Sequence, residues 1–260
     1  MKGRRIARAL ACVAAGFAMA PVHAALSDEI QVYADDIDKP GELGLELHAN
    51  TTLRGRGEPA YPGEAVPNHG LRLTPELSYG LARTWEAGLY VPVNVDSAGR
   101  ADIAGTKLRM KWLPLQGDEA VGGAFAGANL EVSRVRQRYA QSPWGAELRL
   151  MAGYRDPQWL LAGNAVFGTA LSPGHSRVPD FSIAVKAARK VSGDVAAGLE
   201  YYSDLGTTRH VETLSRQSNT LFGALDVTLK GGWGFNVGIG RGLTASADRW
   251  TVKAIFEIPL

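Results

Sequence analysis

From Glu42 to the last residue, apolar and polar side chains alternate with a period of two. Successive side chains of a strand point to opposite faces, so each such stretch predicts a strand with one apolar and one polar face. In ELGLELHANTTL the apolar face carries Leu43, Leu45, Leu47 and Ala49, and the polar face carries Glu42, Glu46, His48 and Asn50. LRLTPELSYGL sets Leu71, Leu73, Leu77, Tyr79 and Leu81 against Arg72, Thr74, Glu76 and Ser78. WEAGLYVPVNV and TKLRMKW follow the same rule, with Glu86, Tyr90 and Asn94, then Lys107, Arg109 and Lys111, in the polar phase. The pattern recurs through AGANLEVS, AELRLMAGY, WLLAGNAVF, FSIAVKA, VAAGLEYY, TLFGALDVTL and GWGFNVGIG, and closes with RWTVKAIFEIPL. A helix would bring its apolar residues back every three to four positions, and these stretches do not. Together they predict about twelve strands and an all-β chain.

The connections alternate too. ART, RDPQ, RKVSGD and KGG are short, whereas RGRGEPAYPGEAVPNHG, RVRQRYAQSPW, SPGHSRVPD and DLGTTRHVETLSRQ are mostly long and rich in polar residues, Gly and Pro. Short turns at one end and long loops at the other are the layout of a transmembrane antiparallel up-and-down β-barrel, here over residues 42–260. Charge separates this from a soluble β-sandwich. A basic side chain on the lipid face near the bilayer midplane costs roughly 2–4 kcal/mol, and the apolar phase carries almost none, Arg241 being the main exception. Trp85, Trp112, Trp159, Tyr201, Trp233 and Trp250 are expected at strand ends in that apolar phase, where amphipathic rings suit a membrane interface. Two residues cut against the pattern. Pro75 and Pro92 fall inside strands, and a closed barrel has no free edge on which to place a missing N–H.

The first residues settle the expected compartment. MKGRRIARALACVAAGFAMAPVHA has a basic start, an apolar stretch from Ala9 to Ala20, and small residues before a cleavage point near Ala24. That is a secretory signal peptide over residues 1–24, and with the barrel it predicts the outer membrane of a Gram-negative bacterium. The one cysteine, Cys12, falls within it, so the exported chain has no disulfide framework. A net charge of +2 gives no electrostatic footprint for nucleic acid. Residues 25–41 form an acidic segment that includes Asp28, Glu29, Asp35, Asp36 and Asp38. It reads either as a periplasmic tail or as a plug that pairs with the Lys107, Arg109 and Lys111 row.

The closing RWTVKAIFEIPL resembles the signal by which the outer-membrane assembly machinery reads its substrates, with Leu260 where an aromatic residue is usual. DEIQVY, GELGLELH and GIGRGLT are similar to a loosely defined group of proteobacterial outer-membrane β-barrels, some named for a phenol-degradation pathway. The resemblance implies a location, a shape, and the partners such barrels have: outer-membrane lipid, lipopolysaccharide and the assembly machinery. It implies hardly any chemistry.

Chemistry rests on the polar phase, which a barrel turns inward. The expected lumen-lining residues are Glu46, His48, Arg72, Glu76, Glu86, Lys107, Arg109, Lys111, Glu147, Arg149, Glu200 and Asp226. About twelve strands lie between small barrels filled by their own side chains and large ones that leave a water channel. Two arrangements therefore stay open: acidic and basic walls facing across a narrow pore for small solutes, or the same charges paired into a filled lumen whose outer loops do the work. A lipid-modifying enzyme is a third reading, in which His48 and Ser78 would neighbour one another beside Glu46 and Glu76. Neither residue sits in a hydrolase motif, so the chain is read as non-catalytic, without a cofactor. The loop histidines His69, His175 and His210 are spaced too widely for a metal site.

Overall fold

The computed structural model describes residues 28–118 and 120–260, so the expected signal peptide lies outside the described residues. Every alternating stretch is a strand. In chain order they are β1 (Leu43–Arg54), β2 (Leu71–Ala82), β3 (Trp85–Tyr90), β4 (Val93–Val95), β5 (Ala101–Ile103), β6 (Gly105–Leu115), β7 (Gly123–Val135), β8 (Trp144–Arg155), β9 (Trp159–Ala170), β10 (Asp180–Ser192), β11 (Val195–Thr207), β12 (His210–Val211), β13 (Ser218–Thr228), β14 (Gly234–Gly242) and β15 (Trp250–Pro259). β4 continues β3, β5 leads into β6, and the two-residue β12 only extends the end of β11. The ring therefore has 12 antiparallel strands. It closes where β1 pairs on one side with β2 and on the other with β15, in a register that sets Leu45 opposite Leu77 and Ile258. Closure leaves the main strands without an edge, which suits a chain whose outer surface is apolar.

The two awkward prolines explain the two breaks in the ring. Val91 donates its N–H to the Pro75 carbonyl (3.1 Å), and Pro75 has none to return; β3 stops beside it at Tyr90 and β4 resumes at Val93. Ala104 donates to the Pro92 carbonyl (2.7 Å), again without a return bond, and Ala104 separates β5 from β6. Each missing donor faces a neighbour that has already left the ladder. A closed sheet tolerates proline in this way, by placing an interruption opposite it.

Outward, the leucines stay exposed: Leu108, Leu130, Leu150, Leu199 and Leu225 lie within their strands with no protein over them, and Tyr201, expected at a strand end, lies in the middle of β11 on the same face. Trp85 and Trp112 stack at 5.8 Å at the short-turn end, with Trp159 and Trp233 at the same end. Trp144 and Trp250 mark the other end. Arg241, the main charge expected in the apolar phase, lies 5.0 Å over the Trp250 ring at the long-loop end, where a guanidinium can reach head groups; Arg134 and Arg189 lie likewise over Trp144 and Trp159.

Inward, the polar phase is buried. His48, Arg72, Glu76, Glu86, Arg109, Glu131, Glu200 and Lys253 all have under a tenth of their surface exposed. The apolar contacts that exist inside come from a different source. Val32, Ala34 and Tyr33, from the segment before β1, pack against the wall: Val32 and Ala34 join Phe125, Ala162 and Ala184, while Tyr33 meets Leu113 and Met151. Residues 28–41 thus run through the interior, leaving at the short-turn end, where Gly41 donates to the Gly80 carbonyl.

Candidate functional site in the barrel lumen

The segment is extended, so alternate side chains address opposite walls. Near its middle, Asn164 of β9 works as a strand would: its side-chain oxygen accepts the Tyr33 N–H and its amide donates to the Tyr33 carbonyl, each at 2.8 Å. The Tyr33 hydroxyl meets that of Tyr90 from the facing wall (2.8 Å). The Arg149 guanidinium sits 4.3 Å over the Tyr33 ring and donates to the Gln31 carbonyl (3.1 Å). On the other side Lys253 donates to the Ile30 carbonyl (3.1 Å). Backbone groups buried away from water must be paired, and here wall side chains supply the partners that a neighbouring strand would.

Charge fixes the two ends. Asp28 pairs with Lys107 at 2.7 Å. Towards the short-turn end, Arg155 holds Asp35 (2.5 Å) and Asp36 (3.0 Å), and Lys111 donates to the Asp36 carbonyl (3.0 Å). Asp38 accepts a hydrogen bond from Ser78 (2.5 Å) while its N–H donates to Glu86 (2.6 Å). Burial pushes the Asp38 carboxyl up from its ordinary value; the Ser78 hydrogen bond opposes the rise and the Glu86 charge adds to it. Glu29 lies near enough for its charge to act on Lys107, Arg149 and His48.

The expected lumen residues divide into distinct groups. Of the basic row, Lys107 and Lys111 contact the segment, whereas Arg109 binds the wall acids Glu76 (2.5 Å) and Glu86 (2.6 Å). On the opposite wall Lys186 pairs with Asp226 (2.7 Å) and Glu200 (3.4 Å), and Glu200 also takes Lys253 and the Tyr202 hydroxyl (2.6 Å). Arg149 and Glu147 pair along β8 at 3.1 Å. Arg72 stands apart near the long-loop end, its guanidinium 5.2 Å over Tyr139 of the loop after β7. Glu46 and His48 lie beside Glu76 on the β1–β2 wall. The hydrolase pairing is not formed: Ser78 stands opposite Gly44, while His48 stands opposite Thr74.

Sequence reasoning did not single out Tyr90, Asn164 or Arg155 as anchors for the segment. A signal existed for two of them. Tyr90 is the aromatic residue in the polar phase of its strand, and Asn164 is the one amide in an otherwise apolar WLLAGNAVF. Arg155 falls in the turn RDPQ by pattern, but β8 continues through it and so aims it at the mouth.

Two cavities flank the segment. One of about 310 Å³ lies between residues Gln31 to Asp36 and the wall that carries Lys186, Glu200 and Lys253. The other, of about 680 Å³, reaches Glu46, Glu76, Glu86 and Glu257.

No protein-family model and no curated protein matches the chain. Solved structures do match in fold. The COG4313 outer membrane channel from Pseudomonas putida F1 superposes with a TM-score of 0.59 at 12% identity, covering 89% of this chain and 100% of its own. The KdgM porin gives a TM-score of 0.54 at 11% identity, covering 84% of this chain and 99% of its own. The NanC porin gives 0.50 at 9% identity, covering 84% and 98%. The fold is that of outer-membrane β-barrel porins.

Proposed function

We propose that this protein is an outer-membrane channel for small polar solutes, held narrow by residues 28–41. The observation that carries the reading is what fills the interior. Wall side chains alone do not close it; a backbone segment occupies the middle, with open volume on both of its sides. The exposed leucine band and its tryptophan ends give the barrel a lipid-facing surface of the right kind. Acids and bases interleave around the lumen, so the passage suits small polar or weakly amphipathic solutes rather than one sign of charge. Outside, Arg134 lies 5.6 Å over the outward Trp144 ring, a placement that suits lipopolysaccharide phosphates.

A second reading has its own support. The pairing of Arg109, Lys186, Lys253 and Arg149 with wall acids is what a filled structural barrel would show. Liposome swelling separates the two. On the channel reading, liposomes carrying the chain from Ala25 onward swell slowly in small polar solutes, and those carrying a chain without residues 25–39 swell several-fold faster. A shortened barrel that folds and leaves swelling at the protein-free rate would overturn the channel.

A further inference from the structure

We propose that Glu46, His48 and Glu76 form a binding site for a divalent transition-metal ion, of the zinc type, in the β1–β2 wall. The register itself creates the need for a cation. Glu46 stands directly opposite Glu76 on one side and directly opposite Glu257 on the other, so three glutamates lie abreast on adjoining strands. Like charges directly opposite one another destabilise a sheet. Arg109 relieves only part of this, because it binds Oε1 of Glu76 and leaves Oε2 turned towards His48.

His48 is the second, independent observation. It has no exposed surface, and neither of its ring nitrogens makes a hydrogen bond; Oε2 of Glu46 is likewise buried without one. Buried polar atoms are nearly always satisfied, whereas here Nδ1 has no partner and Nε2 has only ion-pair contacts with two carboxylates, so the cluster needs an explanation. Nε2 of His48 lies 3.3 Å from Glu46 Oε2 and 3.5 Å from Glu76 Oε2. Around a tetrahedral ion bonded at about 2.1 Å, neighbouring donor atoms stand about 3.4 Å apart. Those two edges fit, and the third lies within 4.8 Å, as do all the donor atoms of the group.

The donor set favours zinc over magnesium or calcium, because an imidazole nitrogen suits the borderline ion and the harder ions prefer oxygen alone. Three protein ligands leave a fourth position for water or a solute group. The larger cavity reaches Glu46 and Glu76 and gives the ion its way in.

The test uses the refolded chain from Ala25 onward, stripped with EDTA and titrated with ZnCl2 against a chelating indicator. One equivalent of zinc should bind the unaltered chain. His48→Ala and Glu46→Gln should each weaken it by more than about a hundredfold, beyond what loss of an outer-shell partner costs. His175→Ala and His210→Ala should leave it unchanged. Heat-modifiable migration on gels checks that each variant is folded, and X-ray absorption on the unaltered chain reads the ligands directly. One imidazole with oxygen neighbours supports the site. Absence of stoichiometric binding, full affinity in folded His48→Ala, or a shell without imidazole would overturn it.

Discussion

Lys253 of β15 reaches over β14 and β13 to Glu200 of β11, and each has 1% of its surface exposed. Removing one member of a buried pair costs about 3–5 kcal/mol where the other is left uncompensated, and less here, because Glu200 keeps Lys186 and the Tyr202 hydroxyl. Lys253→Met should therefore lower the urea midpoint of the refolded barrel markedly, and adding Glu200→Gln should restore part of the loss. A single variant as stable as the parent would show that water already reaches this pair. The opposite face is governed by a different solvent. Leu150 lies mid-strand in β8 with 45% of its surface exposed. Leu150→Arg should cost roughly 2–4 kcal/mol in lipid bilayers. A surface leucine facing water would tolerate the change to within about 0.5 kcal/mol, so the same unfolding measurement identifies the solvent. The residue scale is also where the sequence was most readable, because the alternation that separates Leu150 from Arg149 assigns each a face.

At the scale of elements, the segment before β1 is held closely enough for one methyl group to matter. A Cβ on Gly80 would collide with the backbone carbonyls of Lys39 and Asp38. Gly80→Ala should push the segment off the wall at the short-turn end and expose residues 38–42 to protease, while the barrel stays resistant. An unchanged cleavage pattern would mean that the segment does not rest there in solution. The strands themselves were legible from period two, but the course of this segment was not. Its acidic residues are equally at home in water, and the partners that bury Tyr33 are scattered over β3, β8 and β9. No local pattern brings Tyr90, Arg149 and Asn164 together; only closure of the ring does. The same holds for Pro75 and Pro92. Each is a fault in its own strand, and becomes tolerable only when the break in the neighbouring strand faces it.

For the whole molecule, ring closure turns twelve two-faced strands into one apolar outside and one polar inside, and it creates a space that the wall does not fill. Strand count left the lumen undecided between packed and open, since the answer depends on a chain segment rather than on the barrel. The glutamates of β1, β2 and β15 make the same point: their alignment abreast is complete only when the first strand pairs with the last. The most direct test of the central claim is single-channel conductance in a planar bilayer, under a salt gradient, for the chain from Ala25 onward and for the chain lacking residues 25–39. The account predicts small openings of weak ion selectivity in the first and a several-fold larger conductance in the second. Equal conductances would remove the segment from the pore, and silence from both folded barrels would contradict the channel itself.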